Sequence, residues 1–404
     1  MTAKRLGVWF GGELVAELEA KRPWDLRCRY SAAAIEAGDA NRPLLSCSLP
    51  VTRQTVRATP WVRGLLPEGG HLLAVATTAG VPTNDYADLL ARYGRDIAGA
   101  FTISVGEPDV RRWAVEPYDD EQLAAELRTV ADSPGFAIRD DSELSIAGLQ
   151  HKLLVCALDG GRWGRPVHGQ PSSHIMKLDD GRFDRLLAAE HACLLLADDA
   201  GLRAAHSSLI DVDGLDVLVV ERYDRRRTDD GMLVRLHQED CCQALGVDID
   251  SQQGRGKDER FGGPTFARIA DLCERHGDPT TALPDLLRHA VFTWVIGNGD
   301  AHGKNVSLLI DVPTGHVELA PLYDTVPTAL WPQLRPTAAM SVNGKHHDVT
   351  RDDFVAEAHR WGLARAGTER LIDDLAARLA AAAADCGDDR VASLVTERLR
   401  TLQH

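Results

Sequence analysis

Residues able to transfer a phosphoryl group lie in the stretch Ile296 to Leu309. Asp300 and Asn305 are spaced D-x-x-x-x-N, with Lys304 between them. A carboxylate can orient and deprotonate an attacking hydroxyl, and an amide oxygen can bind Mg²⁺ without adding charge. The Lys304 ammonium can neutralise a group in transfer. We therefore predict a catalytic loop in which Asp300 is the base and Asn305 is a metal ligand.

A second acid is expected on the metal, after a short hairpin. Val306 to Ile310 and Val317 to Leu322, joined by a Pro-Thr-Gly turn, predict this hairpin, and it leads to Asp324. An apolar helix predicted from Pro284 to Val295 would deliver the loop. This order of helix, loop, hairpin and acid is that of a protein kinase. The spacing D-x-x-x-x-N taken alone would also suit a polar loop that caps a helix.

A lysine within an apolar strand is the next candidate. Lys177 lies in the strand predicted from His174 to Leu178, as the nucleotide lysine of a kinase does, although an edge lysine has the same pattern. Glu190, in the helix predicted from Phe183 to Ala200, has the position of the acid that pairs with that lysine. After the apolar strand Val217 to Val220 comes the predicted hinge, Glu221 to Tyr223, whose backbone has the position that reads the adenine edge.

A small-residue turn, Ser145 to Gly148, precedes the strand predicted from Lys152 to Leu158. Its backbone N–H groups could hold phosphates, and an ordinary hairpin turn is the alternative. Neither G-x-G-x-x-G nor a Walker A sequence accompanies the turn. The stretch Leu236 to Gly246 predicts a helical turn with a polar head.

The composition is that of a globular protein of 404 residues with 44% hydrophobic residues. A net charge of −15 argues against direct non-specific binding to nucleic acid. No apolar run is long enough to predict a membrane span. The eight cysteines lack C-x-x-C spacing, which favours reduced thiols and a cytoplasmic protein.

Four segments are predicted along the chain. Residues 1–105 alternate short strands with turns, 106–140 form a connecting segment, 141–235 resemble a kinase N-lobe, and 236–404 are helical. The predicted class is α/β (α+β), a two-lobed kinase-like fold with a β-rich N-terminal subdomain and an all-helical C-terminal part.

These motifs occur in the same order in the HipA family, the kinase toxins of bacterial HipBA toxin–antitoxin modules, and the resemblance covers nearly the whole chain. The matching stretches are Ser145 to Lys152 (S-[VI]-[AS]-G-x-Q-x-K), His174 to Leu178, Glu190 to Cys193, Glu221 to Arg225 (E-R-[FY]-D-R), Gln238 to Asp240 (Q-E-D), Asn298 to Asn305 (N-x-D-x-H-x-K-N) and Leu319 to Asp324. Ala189 departs from the family's usual asparagine. Gly64 to Glu68 and Asp96 to Ala100 resemble two signatures of the family's N-terminal domain.

The resemblance implies ATP and Mg²⁺ as cofactors and a protein serine as acceptor, with Asp300 and Lys304 catalytic and Asn305 and Asp324 on the metal. It implies inhibitory autophosphorylation at Ser145 and pairing roles for Glu190 and Gln238. Ser142, three residues before Ser145, is a less favoured second site of phosphorylation. The residues it places on ATP are Ala147, Gly148, Leu149, Gln150, His151, Lys152, Lys177, Glu221, Arg222, Tyr223, His302, Gly303, Lys304, Asn305 and Asp324.

The family's known substrates are aminoacyl-tRNA synthetases, and its partner is the DNA-binding antitoxin HipB. The resemblance therefore implies DNA contact only through the antitoxin and co-repression of the operon, with no membrane partner. Two alternatives stay open: a small-molecule or lipid kinase, and a catalytically silent co-repressor subunit. The presence of Lys177, Asp300, Asn305 and Asp324 argues against the silent subunit.

Overall fold

A computed structural model describes residues 4–37, 42–132, 151–179, 181–334 and 337–402. The chain folds into two compact units. The first comprises Met1–Arg182, Leu209–Glu239 and Ile310–Gly315, and the second comprises Phe183–Ser208, Asp240–Leu309 and His316–His404. The boundaries of the four segments predicted from the sequence do not coincide with those of these two units, and they stay a prediction.

The first unit is rich in strands, two of which cross a unit boundary by one or two residues. Its helices are α1 (Ala32–Glu36), α2 (Thr59–Gly64), α3 (Gly69–Ala79), α4 (Tyr86–Tyr93) and α5 (Asp120–Asp132). Its strands are β1 (Lys4–Phe10), β2 (Glu13–Arg22), β3 (Asp25–Tyr30), β4 (Pro43–Ser46), β5 (Leu49–Pro50), β6 (Val56–Arg57), β7 (Thr102–Ser104), β8 (Ala114–Pro117), β9 (His151–Ala157), β10 (Trp163–Val167), β11 (His174–Leu178), β12 (Ser207–Val212), β13 (Leu215–Glu221), β14 (Arg225–Arg227), β15 (Leu233–Arg235) and β16 (His237–Asp240).

Two sheets organise this unit. A five-stranded sheet has the order β6-β3-β2-β1-β7, and a six-stranded sheet has the order β12-β13-β11-β9-β10-β8. The alternation of side chains along a strand turns Met176 and Leu178 of β11 towards the core that α5 covers with Leu123 and Leu127. Lys177, between them, belongs to the opposite face of the sheet.

The second unit is mainly helical. Its helices are α6 (Leu186–Asp199), α7 (Cys241–Ala244), α8 (Ser251–Gly254), α9 (Phe266–His276), α10 (Pro279–Val295), α11 (Arg351–Arg360), α12 (Arg365–Ala382) and α13 (Asp389–Thr401). The strands β17 (Ser307–Ile310), whose last residue belongs to the first unit, and β18 (Val317–Leu319) are hydrogen-bonded neighbours and form the predicted hairpin. The part predicted as all-helical therefore contains strands as well. Within the described residues, no helix is both long and apolar enough to cross a membrane.

Two local predictions needed correction. Helix α10 begins at Pro279 rather than Pro284, because the Asp278 carboxylate accepts from the Thr280 N–H and a proline suits the first turn. The helical turn predicted from Leu236 is instead strand β16, and helix begins only at Cys241. A capping box between Asp240 and Gln243 fixes that start.

Candidate active site

The predicted catalytic loop begins where α10 ends. Gly297 adopts a positive φ of 67° and its N–H donates to the Trp294 carbonyl at 3.0 Å, while the Asn298 N–H returns to the Thr293 carbonyl at 3.1 Å. Such closure satisfies carbonyls that the last helical turn leaves open. The turn needs glycine, because a Cβ there would lie 2.7 Å from the Cβ of Ala329.

Asn298 connects Asp300, the predicted base, to Asp324, the predicted acidic ligand of the metal. Its Oδ1 accepts from the Asp300 N–H at 3.0 Å, and its Nδ2 donates to the Asp324 carbonyl at 3.2 Å. One buried amide thus holds two backbone segments that are well separated in the chain. Asp324 has a positive φ of 49°, a conformation that non-glycine residues rarely adopt and that concentrates at functional sites.

Asn305 is oriented by the same loop. Its Nδ2 donates to the Asp300 carbonyl at 2.9 Å, and its Oδ1 receives no hydrogen bond from the described residues. A neutral amide oxygen and a carboxylate are oxygen ligands of the kind that Mg²⁺ prefers. The residues present therefore fit a divalent ion held by Asn305 and Asp324.

The Asp300 carboxylate lies at the surface, where an acceptor hydroxyl can reach it. Its side chain is 68% exposed, and the buried imidazole Nε2 of His302 lies 3.9 Å from one of its oxygens. Gly303 has no room for a side chain, because a Cβ would lie 2.2 Å from Cγ of Pro264. The close packing of Gly303 restrains the loop that carries the exposed acid.

Lys304 is buried and paired. Its Nζ donates to Oδ2 of Asp240 at 2.6 Å, while the other oxygen of Asp240 caps α7. The phenol of Tyr323 donates to the Lys304 carbonyl at 2.6 Å. In this geometry Lys304 anchors the loop, and its predicted catalytic role stays a prediction. The sequence reasoning had assigned no function to Asp240 or Tyr323.

The predicted nucleotide lysine has a second lysine beside it. Lys177 of β11 lies directly opposite Lys152 of β9 in the antiparallel register, and both side chains are buried. Residues opposite each other share one face of a sheet. This face of the sheet therefore carries two buried lysine side chains, and lysine is a residue type that binds phosphates. His151, next to Lys152, pairs with Leu178 in the same register.

The predicted hinge residues fall into two groups. Glu221 ends β13, and the Tyr223 hydroxyl donates to Oε1 of Gln238 at 2.5 Å. Arg222 is buried, its guanidinium bonded to Asp96 and Asp224 and its N–H donated to the Ser173 carbonyl. The structure thus gives the Arg222 side chain an internal ion-pairing role, which spacing alone did not reveal.

For several residues with a predicted role in binding or regulation, that role stays a prediction. Ser142, Ser145, Ala147, Gly148, Leu149 and Gln150 lie outside the described residues. Glu190 is buried on α6 in the second unit, whereas Lys177 is in the first, so their pairing stays a prediction.

The fold is mixed α/β, and its loop and hairpin carry Asp300, Asn305 and Asp324 at the spacing predicted for a kinase. A family model described as HipA-like C-terminal domain matches residues 144–383, and one described as HipA N-terminal domain matches residues 6–104. The chain belongs to the HipA family. The resemblance seen in the sequence is thereby confirmed.

Named relatives agree with this assignment. The chain is 36% identical to "Putative kinase Y4mE" of Sinorhizobium fredii, covering 96% of this chain and 94% of that protein. It is 27% identical to "Serine/threonine-protein kinase toxin HipA" of Shewanella oneidensis, covering 74% of this chain and 70% of that protein.

A solved structure confirms the fold class. HipA in the Shewanella oneidensis toxin–antitoxin complex with HipB and operator DNA matches with a TM-score of 0.80 at 24% identity, covering 98% of this chain and 95% of that one. The predicted mixed α/β fold, β-rich towards the N-terminus and helical towards the C-terminus, is that of HipA.

Proposed function

We propose that the chain is an ATP-dependent serine/threonine-protein kinase. The observation that carries the proposal is the bridge through Asn298, which fixes the backbone of Asp300 relative to that of Asp324. A silent binding subunit would need no such connection between a base and a metal acid. Relatives named as kinases support the same activity.

In the proposed reaction, Asp300 accepts a hydrogen bond from an acceptor serine or threonine hydroxyl. The hydroxyl oxygen attacks the γ-phosphorus of ATP, the bond to the β-phosphate oxygen breaks, and ADP leaves. The hydroxyl proton passes to the Asp300 carboxylate, which is accessible to it. A divalent ion held by Asn305 and Asp324 would neutralise phosphate charge. Lys152 and Lys177 would bind the phosphates from the face of the sheet they share.

We further propose that the chain acts in the cytoplasm as the toxin of a type II toxin–antitoxin module. Its acceptor would be a serine of an aminoacyl-tRNA synthetase, so that its activity arrests translation, and it would co-repress its operon with a HipB-like antitoxin. The support is family membership and the likeness to a HipA crystallised with HipB and operator DNA. Eight free cysteines are consistent with a reducing compartment.

The test uses purified chain, labelled ATP with Mg²⁺, and host lysate, followed by mass spectrometry of the labelled protein. We expect label on a serine of a synthetase, and loss of about 10²- to 10⁴-fold in rate for Asp300→Ala with ATP binding retained. Asp348→Ala, which removes an acid whose side chain is 93% exposed, is the matched control. Near wild-type labelling by Asp300→Ala would contradict the site, and label on lipid or a small molecule would contradict the acceptor class.

Autophosphorylation at Ser145 is proposed as the off-switch. A phosphate there would add about −1.5 to −2 charge and would repel the nucleotide's phosphates. Ser145→Asp should lose ATP binding while its circular dichroism stays native, and Ser145→Ala should bind ATP and escape inactivation. Mass spectrometry after incubation with ATP checks the site. Activity that declines with modification found only elsewhere would remove Ser145 from this role.

A further inference from the structure

A buried ionic cluster connects the stretch Asp96 to Gly99 with the hinge. Asp96 lies in the segment matched by the HipA N-terminal domain and is 0% exposed. One of its oxygens lies 2.7 Å from Arg225, and the other lies 3.5 Å from Arg222. Asp224, between these arginines, bonds to both at 2.8 to 2.9 Å. All four residues belong to the same compact unit.

The cluster carries an excess of positive charge. Arg222, Arg225 and Arg235 face Asp96 and Asp224, so three cations meet two anions. Carbonyl oxygens stabilise the surplus, and these belong to Ile97, Gly99, Arg95 and Gly169. Two of those four carbonyls lie in the stretch Asp96 to Gly99, and that of Arg95 directly precedes it. A buried charge without such partners would be strongly unfavourable, so the cluster depends on that stretch.

Close backbone packing reinforces the connection. The Gly99 N–H donates to Asp224 at 2.9 Å. Gly99 has a φ of 86°, and a Cβ there would lie 2.8 Å from Nδ1 of His237 and 2.9 Å from the Gln238 carbonyl. Only glycine permits this approach and this backbone conformation together.

The following strand contacts the same part of the chain. His237 Nε2 lies 2.9 Å from the Leu45 carbonyl, and the Cys47 N–H donates to Oε1 of Glu239 at 2.8 Å. Gln238, between them, accepts from the hydroxyl of the hinge residue Tyr223. Two motifs of the kinase segment, E-R-Y-D-R and Q-E-D, are therefore both bonded to residues of the N-terminal domain.

We propose that the HipA N-terminal domain positions the nucleotide hinge, with Asp96 as the positioning residue that acts through Arg222 and Arg225. The domain is then a working part of the kinase rather than an appended module. The link from hinge to nucleotide rests on the function proposed above. The link from Asp96 to the hinge backbone stands on the contacts alone, which lets the two be tested separately.

The test compares Asp96→Asn with the intact chain by hydrogen exchange and by ATP titration. Asparagine keeps the shape but removes the charge, so the cluster changes from one surplus cation to two. We expect hydrogen exchange of the backbone amides in residues 217–226, which include the hinge, to accelerate about 10-fold or more. The Kd for ATP should rise about 10-fold. Arg128→Ala removes an exposed ion pair with Asp213 in the same unit and is the matched control.

A second substitution separates positioning from general damage. Adding Arg235→Gln to Asp96→Asn restores one surplus cation, so exchange at the hinge should fall below that of Asp96→Asn alone. Additive damage in the double variant would contradict the charge argument. Should Asp96→Asn lose its native circular dichroism, Ser172→Ala gives a milder version. It removes only a hydroxyl that donates to Asp96 at 2.6 Å and accepts from Arg222 at 2.8 Å.

The outcomes are distinct. Unchanged exchange at the hinge in both Asp96→Asn and Ser172→Ala would overturn the proposed positioning, whatever the enzyme activity. Faster exchange with an unchanged ATP Kd would overturn the part that reaches the nucleotide. An intact chain that fails to bind ATP would overturn the proposed function, while the exchange data would still decide whether Asp96 positions the hinge.

Discussion

At the scale of single residues, the candidate site depends on one asparagine. Asn298 accepts from the backbone of Asp300 and donates to that of Asp324, so it uses both ends of its amide. Neither bond involves the carboxylate oxygens of Asp300 or Asp324. We therefore expect Asn298 to be a positioning residue, and its loss should displace Asp300, the proposed base, relative to Asp324, the proposed metal ligand.

Replacing Asn298 tests this position directly. Asn298→Ala should lower kcat by about 10- to 100-fold, because small misplacements of reacting groups are costly, while the KM for ATP changes little. Asn298→Asp keeps the acceptor for the Asp300 N–H but places a carboxylate against the Asp324 carbonyl, so it should do no better than alanine. Steady-state kinetics of both variants measure the split. A change confined to the KM for ATP would contradict a positioning role between base and metal acid.

Spacing predicted candidate catalytic and metal-binding residues but not the residues that support them. The prediction of Asp300, Asn305 and Asp324 follows from a local pattern, because all three belong to one loop and the hairpin after it. Lys304 pairs with Asp240, 64 positions earlier, and one of the two acids that Arg225 contacts is Asp96, 129 positions earlier. Nothing in the local pattern of a single sequence indicates such distant pairs. The buried ion pairs were accordingly not predicted, and Arg222 was predicted to bind the nucleotide instead.

At the scale of elements, the end of α10 determines where the loop begins. The Thr328 hydroxyl accepts from the Gly299 N–H at 2.6 Å and donates to the Gly297 carbonyl at 3.1 Å, and the Ala329 N–H donates to the same carbonyl. A 3₁₀ turn at Thr328–Leu330 thus packs against the first residues of the loop. The helix end, the loop and this turn form one packed arrangement.

Two glycine substitutions separate backbone strain from crowding at this turn. Gly297 and Gly344 both have positive φ, at 67° and 75°, but a Cβ at Gly297 meets Ala329 whereas one at Gly344 meets nothing within 4 Å. Gly344→Ala should cost about 1 kcal/mol of unfolding free energy from conformation alone, and Gly297→Ala about 1–3 kcal/mol more. Chemical denaturation of both variants gives the comparison. Equal losses would show that the loop yields freely, contrary to the packing described.

Elements were predicted well where periodicity and local caps decide them. The strand His174–Leu178 has the predicted bounds, and the hairpin after the loop is present. The stretch before Cys241 was predicted as helix but is strand β16, since tertiary contacts outweigh its local preference. His237 and Glu239 each bond to the β4–β5 region almost 200 residues earlier. Competing tertiary bonds of this kind cannot be read from a local window.

At the scale of the whole molecule, buried histidines make stability depend on pH. Burial lowers the pKa of His71, His237 and His289 from 6.5 to about 4, with the charge of Lys152 adding to the effect at His71. Between these pH values the unfolded chain binds protons that the folded chain does not. The free energy of unfolding therefore rises with pH from about 4 to 6.5. The stability that the neutral histidines contribute is lost as the pH falls through that window.

His289, inside α10, offers a direct test of this dependence. His289→Leu removes one titrating group, so the slope of unfolding free energy against pH should decrease by up to about 1.4 kcal/mol per pH unit between pH 4 and 6.5. Above pH 7, where histidine is neutral in both states, the slopes of the two proteins should coincide. Urea unfolding across this range measures both. An unchanged slope in the acidic window would show that His289 is charged inside the folded protein.

The net charge of −15 determines whether the whole molecule can bind DNA directly. Phosphate backbones attract proteins that supply lysines and arginines, and binding of that kind weakens steeply with salt. The isolated chain should therefore not bind its operator, and the complex with a small basic HipB-like partner should bind it. Fluorescence anisotropy with operator DNA at low and moderate salt, with a scrambled duplex as control, checks both. Tight, salt-sensitive binding by the isolated chain would refute the prediction, because it would require a cationic surface strong enough to overcome the overall negative charge.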